Sequence, residues 1–175
     1  MEKINSLTGM TDLIETKADE NVLANKVFQT EKILKEIFTN YAMSEIRTPA
    51  LENTNLFKRS VGDTSDIVNK ELYTFSDKND KSITLRPEGT ASVMRSIIEK
   101  KLDGETHKLW YLGPMWRYER PQKGRYRQFN QAGIEILGYP EGAPEFEMIS
   151  LICELNRKLQ IRKPLIKINH LGDSN

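Results

Sequence analysis

The spacing of apolar residues predicts three helices in this chain. The first follows Asp19 or Asn21, either of which could cap it, the second follows Pro87, and the third extends over Pro144–Leu159. Their apolar stripes are Leu23, Val27, Leu34, Phe38 and Tyr41 in the first helix, Val93, Ile97 and Ile98 in the second, and Phe146, Ile149, Ile152 and Leu155 in the third. Cys153 lies on the third stripe, so we expect it in the core.

Strand-like runs occupy much of the remaining chain. They are Ser44–Thr48, which Pro49 ends, Leu72–Phe75, Ser82–Leu85, Leu109–Met115, Gln128–Leu137 and Leu165–Ile168. The turn formers Asp77–Asp80 join the second and third runs into a hairpin. This order predicts an α/β (α+β) fold with a mostly antiparallel sheet flanked by helices. Because little chain follows the last strand to cover it, we expect the first part of a longer domain.

Composition narrows the class of protein. A chain of 175 residues with 38% hydrophobic and 29% charged residues is typical of one soluble domain. The net charge of +1 excludes a uniformly basic nucleic-acid coat, so any contact with nucleic acid must be local. The single cysteine excludes an internal disulfide, and no apolar run approaches the length of a membrane span. We therefore expect a cytoplasmic protein that does not associate with membranes.

One segment departs from the even balance of charge. It holds five cations, Arg117, Arg120, Lys123, Arg125 and Arg127, against one carboxylate, Glu119, which is a local excess of +4. Protein surfaces usually intersperse the two signs, so the excess favours an anionic partner. A basic, solvated hairpin in which Arg117 pairs with Glu119 explains the charge as well.

Side chains that could bind a nucleotide follow the alternation of the two flanking strands. Arg117 and Glu119 stand two positions apart, and the return strand places Phe129, Gln131 and Glu135 on one face. An arginine fork matches phosphate oxygens, and an aromatic ring can stack on a base. The row predicts the floor of a site for a nucleotide and a small molecule.

A second group lies in Thr84–Thr90, where a turn bounded by proline opens a helix. Glu88 and Thr90 are ordinary first-turn residues that satisfy free amides. A carboxylate and a hydroxyl at the end of a strand could instead hold the ammonium group of a substrate. These residues alone allow both interpretations.

Taken together, the helix and strand before Pro49, the run LRPEGT and the run MWRYERPQKGRYRQFNQAGIE resemble the histidyl-tRNA synthetases of class II. The resemblance extends over nearly all of residues 1–175, with the family's first motif at about 22–49 and its second at about 109–138. The loop ERPQKGRYRQF makes the second motif the more specific of the two. The family's third motif and anticodon-binding domain are absent from this sequence. The resemblance therefore implies the N-terminal portion of a catalytic domain that is incomplete.

The resemblance also implies a role for each candidate residue. Arg117 would be the catalytic contact to the α-phosphate of ATP. The remaining assignments are Glu119, Arg125 and Phe129 to ATP, Glu88, Gly89, Thr90, Gln131 and Glu135 to histidine, and Arg120, Lys123 and Arg127 to the phosphates and the tRNA acceptor end. Phe129 would stack on adenine and Glu135 would reach the imidazole. A carboxylate aimed at an imidazole N–H rejects ligands that lack this donor.

The partners implied by the resemblance are ATP, L-histidine and tRNA(His), with Mg²⁺ carried in by ATP and no metal site in the protein itself. It implies a homodimer formed through the helix and strand of the first motif, and little activity for the 175-residue chain by itself. Neither His107, expected at the surface, nor His170, near the chain end, is expected to act in catalysis.

Two alternative functions stay open. One is a regulatory-subunit paralogue of ATP phosphoribosyltransferase, and the other is an RNA-binding module that uses the basic loop. The presence of Arg117, Glu119, Arg125, Arg127 and Phe129 favours the synthetase over the paralogue. The net charge near zero counts against a general RNA-binding module.

Overall fold

The computed structural model describes residues 3–15, 22–62, 65–120, 122–162 and 164–169. Its helices are α1 (Val22–Asn40), α2 (Thr54–Val61), α3 (Thr90–Glu99) and α4 (Ala143–Lys158), with one π-helical turn at Ile67–Glu71. Its strands are β1 (Ser44–Glu45), β2 (Leu51–Asn53), β3 (Thr74–Ser76), β4 (Ser82–Leu85), β5 (His107–Trp116) and β6 (Gln128–Leu137). Within these ranges, no helix has both the length and the apolar character needed to cross a bilayer.

The strands form two three-stranded sheets. The first has the order β1–β5–β6 and the second has the order β2–β4–β3. Among the pairings of the described strands, β1–β5 is parallel and the other three are antiparallel, as the sequence predicts. The hairpin β5–β6 pairs without interruption from His107↔Leu137 to Trp116↔Gln128. It is the platform on which the candidate site is built.

Helices α1 and α4 cover one face of this hairpin. Leu34, Ile37 and Phe38 of α1 pack with Trp110 and Leu151 in a buried cluster. The rings of Phe38 and Trp110 stack with their centroids 5.2 Å apart. Burying an aliphatic or aromatic side chain of this size contributes about 1.5–3 kcal/mol. The cluster leaves the opposite face of the hairpin for α3 and the candidate site.

Helix α3 covers part of that opposite face, where Val93 and Ile97 pack against Tyr111 and Met115. The predicted helix after Pro87 is confirmed, and within it Ile97 is buried while Ile98 is 62% exposed. One position along a helix is a rotation of about 100°, which turns Ile98 away from the stripe that Ile97 occupies. The same core fixes the start of α3 close to β5 and β6.

In the N-terminal turn of α1, two neighbouring residues again differ in burial. Leu23 is 57% exposed, so the prediction that it is buried is wrong, and the neighbouring Ala24 is buried in its place. The helix presents Ala24 to the sheet because the two side chains differ by about 100° around the axis. Asp19 and Asn21, the predicted caps, lie outside the described residues.

The predicted hairpin around Asp77–Asp80 is confirmed. β3 and β4 pair antiparallel. The Asp77 carboxylate fixes the turn because it accepts from the backbone amides of Asn79 and Lys81, at 2.8 and 2.9 Å. β4 then delivers the chain to the second group of candidate residues.

Two expectations near the C-terminal end are wrong. Leu165–Ile168 forms no ladder with any described strand, and the two ends of the segment are 79% and 74% exposed. A strand is stable only when it pairs with a neighbour, and this segment has none in the described part of the chain. Cys153 is exposed, because α4 buries a narrow stripe centred on Leu151.

Strand β1 is shorter than the predicted Ser44–Thr48. It ends at Glu45, although the amide of Ile46 still donates to the Trp110 carbonyl at 2.9 Å. The Thr48 carbonyl accepts from the side chain of Arg86 at 2.8 Å, so it takes no part in the sheet ladder. The hydrophobic pattern also does not predict α2 or the π-helical turn.

Candidate functional site

The hairpin β5–β6 presents alternate residues to the side of α3. Tyr111 and Met115 of β5 lie on this face with Phe129, Gly133 and Glu135 of β6, since Tyr111 pairs with Gly133 and Met115 pairs with Phe129. The loop with the cationic excess joins the far ends of the two strands. The predicted face is therefore formed, and the loop residues extend from one end of it.

Arg117 continues β5 and is held by protein groups from three segments. Its amide donates to the Arg127 carbonyl at 3.0 Å, and its Nε donates to the Pro87 carbonyl at 2.9 Å. Its Cζ lies 5.1 Å from the centre of the Phe129 ring. One edge of the guanidinium is thus fixed, and the whole group stands beside an aromatic ring that can stack on a base.

Glu119 pairs with Arg125 rather than with Arg117, with the two charged groups 3.4 Å apart. The simple surface pairing of Arg117 with Glu119 is therefore not the arrangement that the structure adopts. A cleft of ≈ 470 Å³ opens between these side chains and is lined by Glu71, Arg117, Glu119, Arg125, Tyr126 and Phe129. All four predicted ATP contacts line this single cleft.

The side chain of Arg127 contacts other groups of the protein. Its Nε donates to the Glu119 carbonyl at 3.2 Å, and its Cζ lies 4.2 Å from the centre of the Tyr118 ring. Its amide donates to the Gly9 carbonyl at 2.8 Å. Arg120 and Lys123, which were grouped with it in the prediction, are exposed on the loop. The three predicted tRNA contacts therefore occupy two different environments.

The second group of candidates meets the hairpin at its other end. The Glu88 carboxylate accepts from the amides of Thr90 and Ala91 at 2.6 and 2.9 Å and so caps α3. The Thr90 hydroxyl donates to the Glu135 carboxylate at 2.7 Å. Residues 88–90 and Glu135, which are predicted to bind the same ligand, are therefore brought into direct contact.

Tyr111 forms the floor between these groups, and the sequence analysis missed it. Its ring lies against Gly89 on one side and Gly133 on the other, because a Cβ at either glycine would come within 2.2 Å of ring atoms. A signal was available, since a glycine inside a strand often marks the close approach of another group. The side chain is almost fully buried.

The pKa values of two groups in this floor, Glu135 and Tyr111, are raised. Burial raises the pKa of the Glu135 carboxyl above its ordinary value, the hydrogen bond from Thr90 opposes the shift, and the charge of Glu88 adds to it. Burial likewise raises the pKa of the Tyr111 phenol. A cationic ligand placed here would relieve the repulsion between the two carboxylates.

Comparison with known proteins identifies the family. A family model described as histidyl-tRNA synthetase matches residues 20–172, which is most of the chain. This chain belongs to the histidyl-tRNA synthetase family. Among its relatives, the histidine–tRNA ligase of Geobacter sulfurreducens is 51% identical over 144 residues, covering 81% of this chain and 35% of that protein. The histidine–tRNA ligase of Prochlorococcus marinus is 46% identical over 176 residues, covering 100% of this chain and 40% of that protein.

Solved structures agree on the fold. Apo histidyl-tRNA synthetase from S. aureus superimposes with a TM-score of 0.71 at 38% identity, over 89% of this chain and 35% of that one. An ATP phosphoribosyltransferase regulatory subunit/histidyl-tRNA synthetase from Bacillus halodurans C superimposes with a TM-score of 0.68 at 22% identity. The match covers 93% of this chain and 40% of that one. The chain therefore has a class II synthetase fold, and it spans well under half the length of the relatives it matches.

In this member of the histidyl-tRNA synthetase family, Gln131 stands between the two groups of candidates. It follows Phe129 by two positions on the same face of β6 and precedes Glu135 by four. Its side-chain oxygen is buried and accepts no hydrogen bond from the described residues. A buried polar atom without a partner costs about 1–3 kcal/mol, so a donor supplied by a ligand would be favourable here.

His107 takes no part in this arrangement. The Nε2 of His107 lies 2.8 Å from the Leu102 carbonyl, so its half-buried ring links β5 to the segment that follows α3. This differs from the surface position expected for it. His170 lies outside the described residues. Within those residues, no group of three or more histidine, cysteine or acidic side chains is placed to hold a metal ion.

Proposed function

We propose that this chain provides the ATP-binding and histidine-binding wall of a histidine–tRNA ligase. The whole enzyme would activate histidine as histidyl-adenylate and transfer it to tRNA(His). The observation that carries the proposal is the turn from Arg86 to Thr90. Its Pro87 carbonyl accepts from Arg117, and its Thr90 hydroxyl donates to Glu135. One short turn thus joins the predicted nucleotide contact to the predicted contact for the amino acid.

The chemistry requires positioning and charge stabilisation more than acid–base groups. The histidine carboxylate attacks the α-phosphorus of ATP, the bond to pyrophosphate breaks, and a ribose hydroxyl of tRNA then takes the acyl group. Arg117, with one edge fixed by Pro87, would place its remaining donors on the α-phosphate as negative charge develops there. Phe129 beside it would support the adenine, and Mg²⁺ would arrive with ATP.

Recognition of histidine follows from the second group. The Thr90 hydroxyl gives its proton to Glu135, and its oxygen would accept from the ammonium group of the substrate. Glu135 keeps its second carboxylate oxygen for an imidazole N–H. The buried oxygen of Gln131 would accept from the main-chain end of the ligand. A hydrophobic pocket could not select histidine in this way.

The loop and the first motif supply the proposed macromolecular contacts. Arg120 and Lys123 are exposed on the loop and would meet the phosphates of the tRNA acceptor end. A homodimer would form through the first motif at about 22–49. Both residues of β1, Ser44 and Glu45, are exposed, and β1 is an edge of its sheet. An exposed sheet edge is a common place for association with another chain.

The decisive experiment measures binding of a histidyl-sulfamoyl-adenosine, an unreactive analogue of the adenylate, to the 175-residue chain. Fluorescence of Trp116 is a suitable readout, since its indole donates to Gln128 at 3.1 Å next to Arg117. We expect saturable binding that weakens at least about tenfold for the alanyl analogue, which lacks the imidazole donor. Failure to bind either analogue would overturn the proposal.

A second measurement is histidine-dependent exchange between ATP and pyrophosphate. We expect little exchange from the 175-residue chain, because it spans only 35% to 40% of the length of the ligases it matches. Robust exchange would contradict the view that this chain holds one wall of the site. Binding of tRNA without any binding of the adenylate analogue would favour the RNA-binding module instead.

A further inference from the structure

The side chain of Arg86 connects the two sheets. Its Nη1 donates to the carbonyl and the hydroxyl of Thr48, at 2.8 and 3.0 Å, and its Nε donates to the Pro114 carbonyl at 3.1 Å. Thr48 follows β1, Pro114 lies in β5, and Arg86 itself follows β4 of the second sheet. Its backbone adds two further bonds, to Ala50 and from Trp116. One residue therefore joins three segments of the chain: the loop between β1 and β2, the turn after β4, and β5.

The environment suits a guanidinium better than an ammonium group. The acceptors are neutral oxygens on opposite sides of the group, and a lysine ammonium lacks the rigid fork that reaches both. A Cβ at Gly113 would come within 3.0 Å of Nη2, so this strand position leaves room for the fork. Partial burial disfavours the charged form of Arg86 and lowers its pKa. Because the charged guanidinium is partly buried, it depends on its hydrogen bonds for stability.

We infer that Arg86 is a positioning residue for both halves of the site. The turn that begins with Arg86 carries the Pro87 carbonyl that holds Arg117 and the Glu88 carboxylate that caps α3. Anchoring this turn to Thr48 and Pro114 sets the distance between the nucleotide contacts and the histidine contacts. The side-chain hydrogen bonds of Arg86 go to protein groups, so its effect on both ligands would be indirect. The ligand-binding part of this inference rests on the proposed function.

The test compares Arg86→Lys with the wild-type chain and with Arg47→Lys, an exposed arginine that pairs with Glu45. ATP and histidine are titrated separately, and amide hydrogen exchange is followed by NMR. In Arg86→Lys we expect both affinities to fall together by about tenfold or more, the size expected for losing a hydrogen bond from a charged donor. We expect faster exchange at the amides of Ala91 and Trp116, with the middle of the β5–β6 ladder unchanged. Arg47→Lys should change none of these.

Each outcome decides the inference. Unchanged exchange at Ala91 and Trp116, loss of affinity for one ligand only, or uniformly faster exchange from a loosened fold would overturn it. If Arg86→Lys does not fold, Gly113→Ala crowds the same guanidinium without removing it and should give the same paired losses. A wild-type chain that binds neither ligand would overturn the proposed function. The exchange data would then still decide whether Arg86 holds the turn.

Discussion

The Thr90 hydroxyl donates to the Glu135 carboxylate at 2.7 Å and so ties the start of α3 to the C-terminal part of β6. The two residues are 45 positions apart in the sequence. The contact sets the direction of both side chains, because the hydroxyl proton is committed to one carboxylate oxygen. We propose that the other Glu135 oxygen and the Thr90 oxygen act as acceptors for a ligand with an imidazole and an ammonium group.

We expect Glu135→Gln to weaken histidine binding by roughly five- to tenfold, because a charged acceptor is replaced by a neutral one of the same shape. The amide oxygen can still accept from Thr90, so the local geometry is kept. Titration with histidine and with thiazolylalanine, whose ring has no N–H, checks this prediction. The affinity for thiazolylalanine should change little. Equal losses for both amino acids would remove Glu135 from imidazole recognition.

The same variant should alter the pH dependence of stability. The pKa of Glu135 is raised in the folded chain, so its ionisation opposes folding and wild-type stability falls as pH rises through that pKa. Glu135→Gln should therefore be more stable than wild type near pH 7, and the difference should disappear at a pH low enough to protonate Glu135 in both the folded and the unfolded chain. Thermal unfolding at the two pH values measures this difference. Glu105→Gln, which removes an exposed carboxylate, is the control for net charge.

In a full-length ligase that contains these residues, Arg117→Ala should slow adenylate formation by two to three orders of magnitude, since a preorganised charge contact contributes roughly 3–4 kcal/mol. Folding should be affected little, because the side chain makes one hydrogen bond to a neutral carbonyl and one ring contact. Pyrophosphate exchange and thermal unfolding are measured together. A variant with a normal exchange rate, or one that loses activity only through unfolding, would contradict the assigned role.

Lys123→Gln and Arg127→Gln should affect RNA binding differently. Lys123 is exposed, so its loss should lower the dependence of tRNA affinity on log salt by about one unit. Arg127 supports the loop through Glu119 and Tyr118, so its loss should chiefly increase proteolysis of the loop. Salt titrations of tRNA binding and timed digestion separate the two effects. Equal salt slopes for the two variants would contradict the difference that the structure shows.

The sequence predicts an element well when the residues of that element themselves show the pattern typical of a strand or a helix. Strand β6 is predicted to its exact bounds, Gln128–Leu137, because the run contains aromatic and β-branched residues and a glycine follows it. Helix α2 (Thr54–Val61) is not predicted, because its placement depends on distant residues. Phe57 is fully buried, and the Thr54 hydroxyl bonds Thr84 across the sheet at 2.7 Å. Such tertiary contacts leave no periodic signal in a short helix.

In the candidate site too, local patterns predict some features, while tertiary contacts determine others that the sequence does not predict. Alternation places Phe129 and Glu135 on one face of a strand, and the structure agrees. The choice of Arg125 over Arg117 as the partner of Glu119 depends on the path of the loop, which alternation does not describe. The bridging role of Arg86 depends on two sheets meeting, and no local pattern encodes that. The resemblance to a family supplied roles, while the contacts supplied the connections between them.

Gly133→Ala should destabilise the chain by about 1–3 kcal/mol, because the new methyl group would lie 2.2 Å from the Tyr111 ring and must displace it. The two residues face each other directly in the β5–β6 ladder, so the strand cannot move aside cheaply. Chemical denaturation measures the loss, and Gly104→Ala, where a methyl group would meet nothing within 4 Å, should be close to neutral. Combining Gly133→Ala with Tyr111→Leu should recover part of the loss, since the shorter side chain leaves space for the methyl group. Additive effects of the two substitutions would show that the ring and the glycine are not coupled.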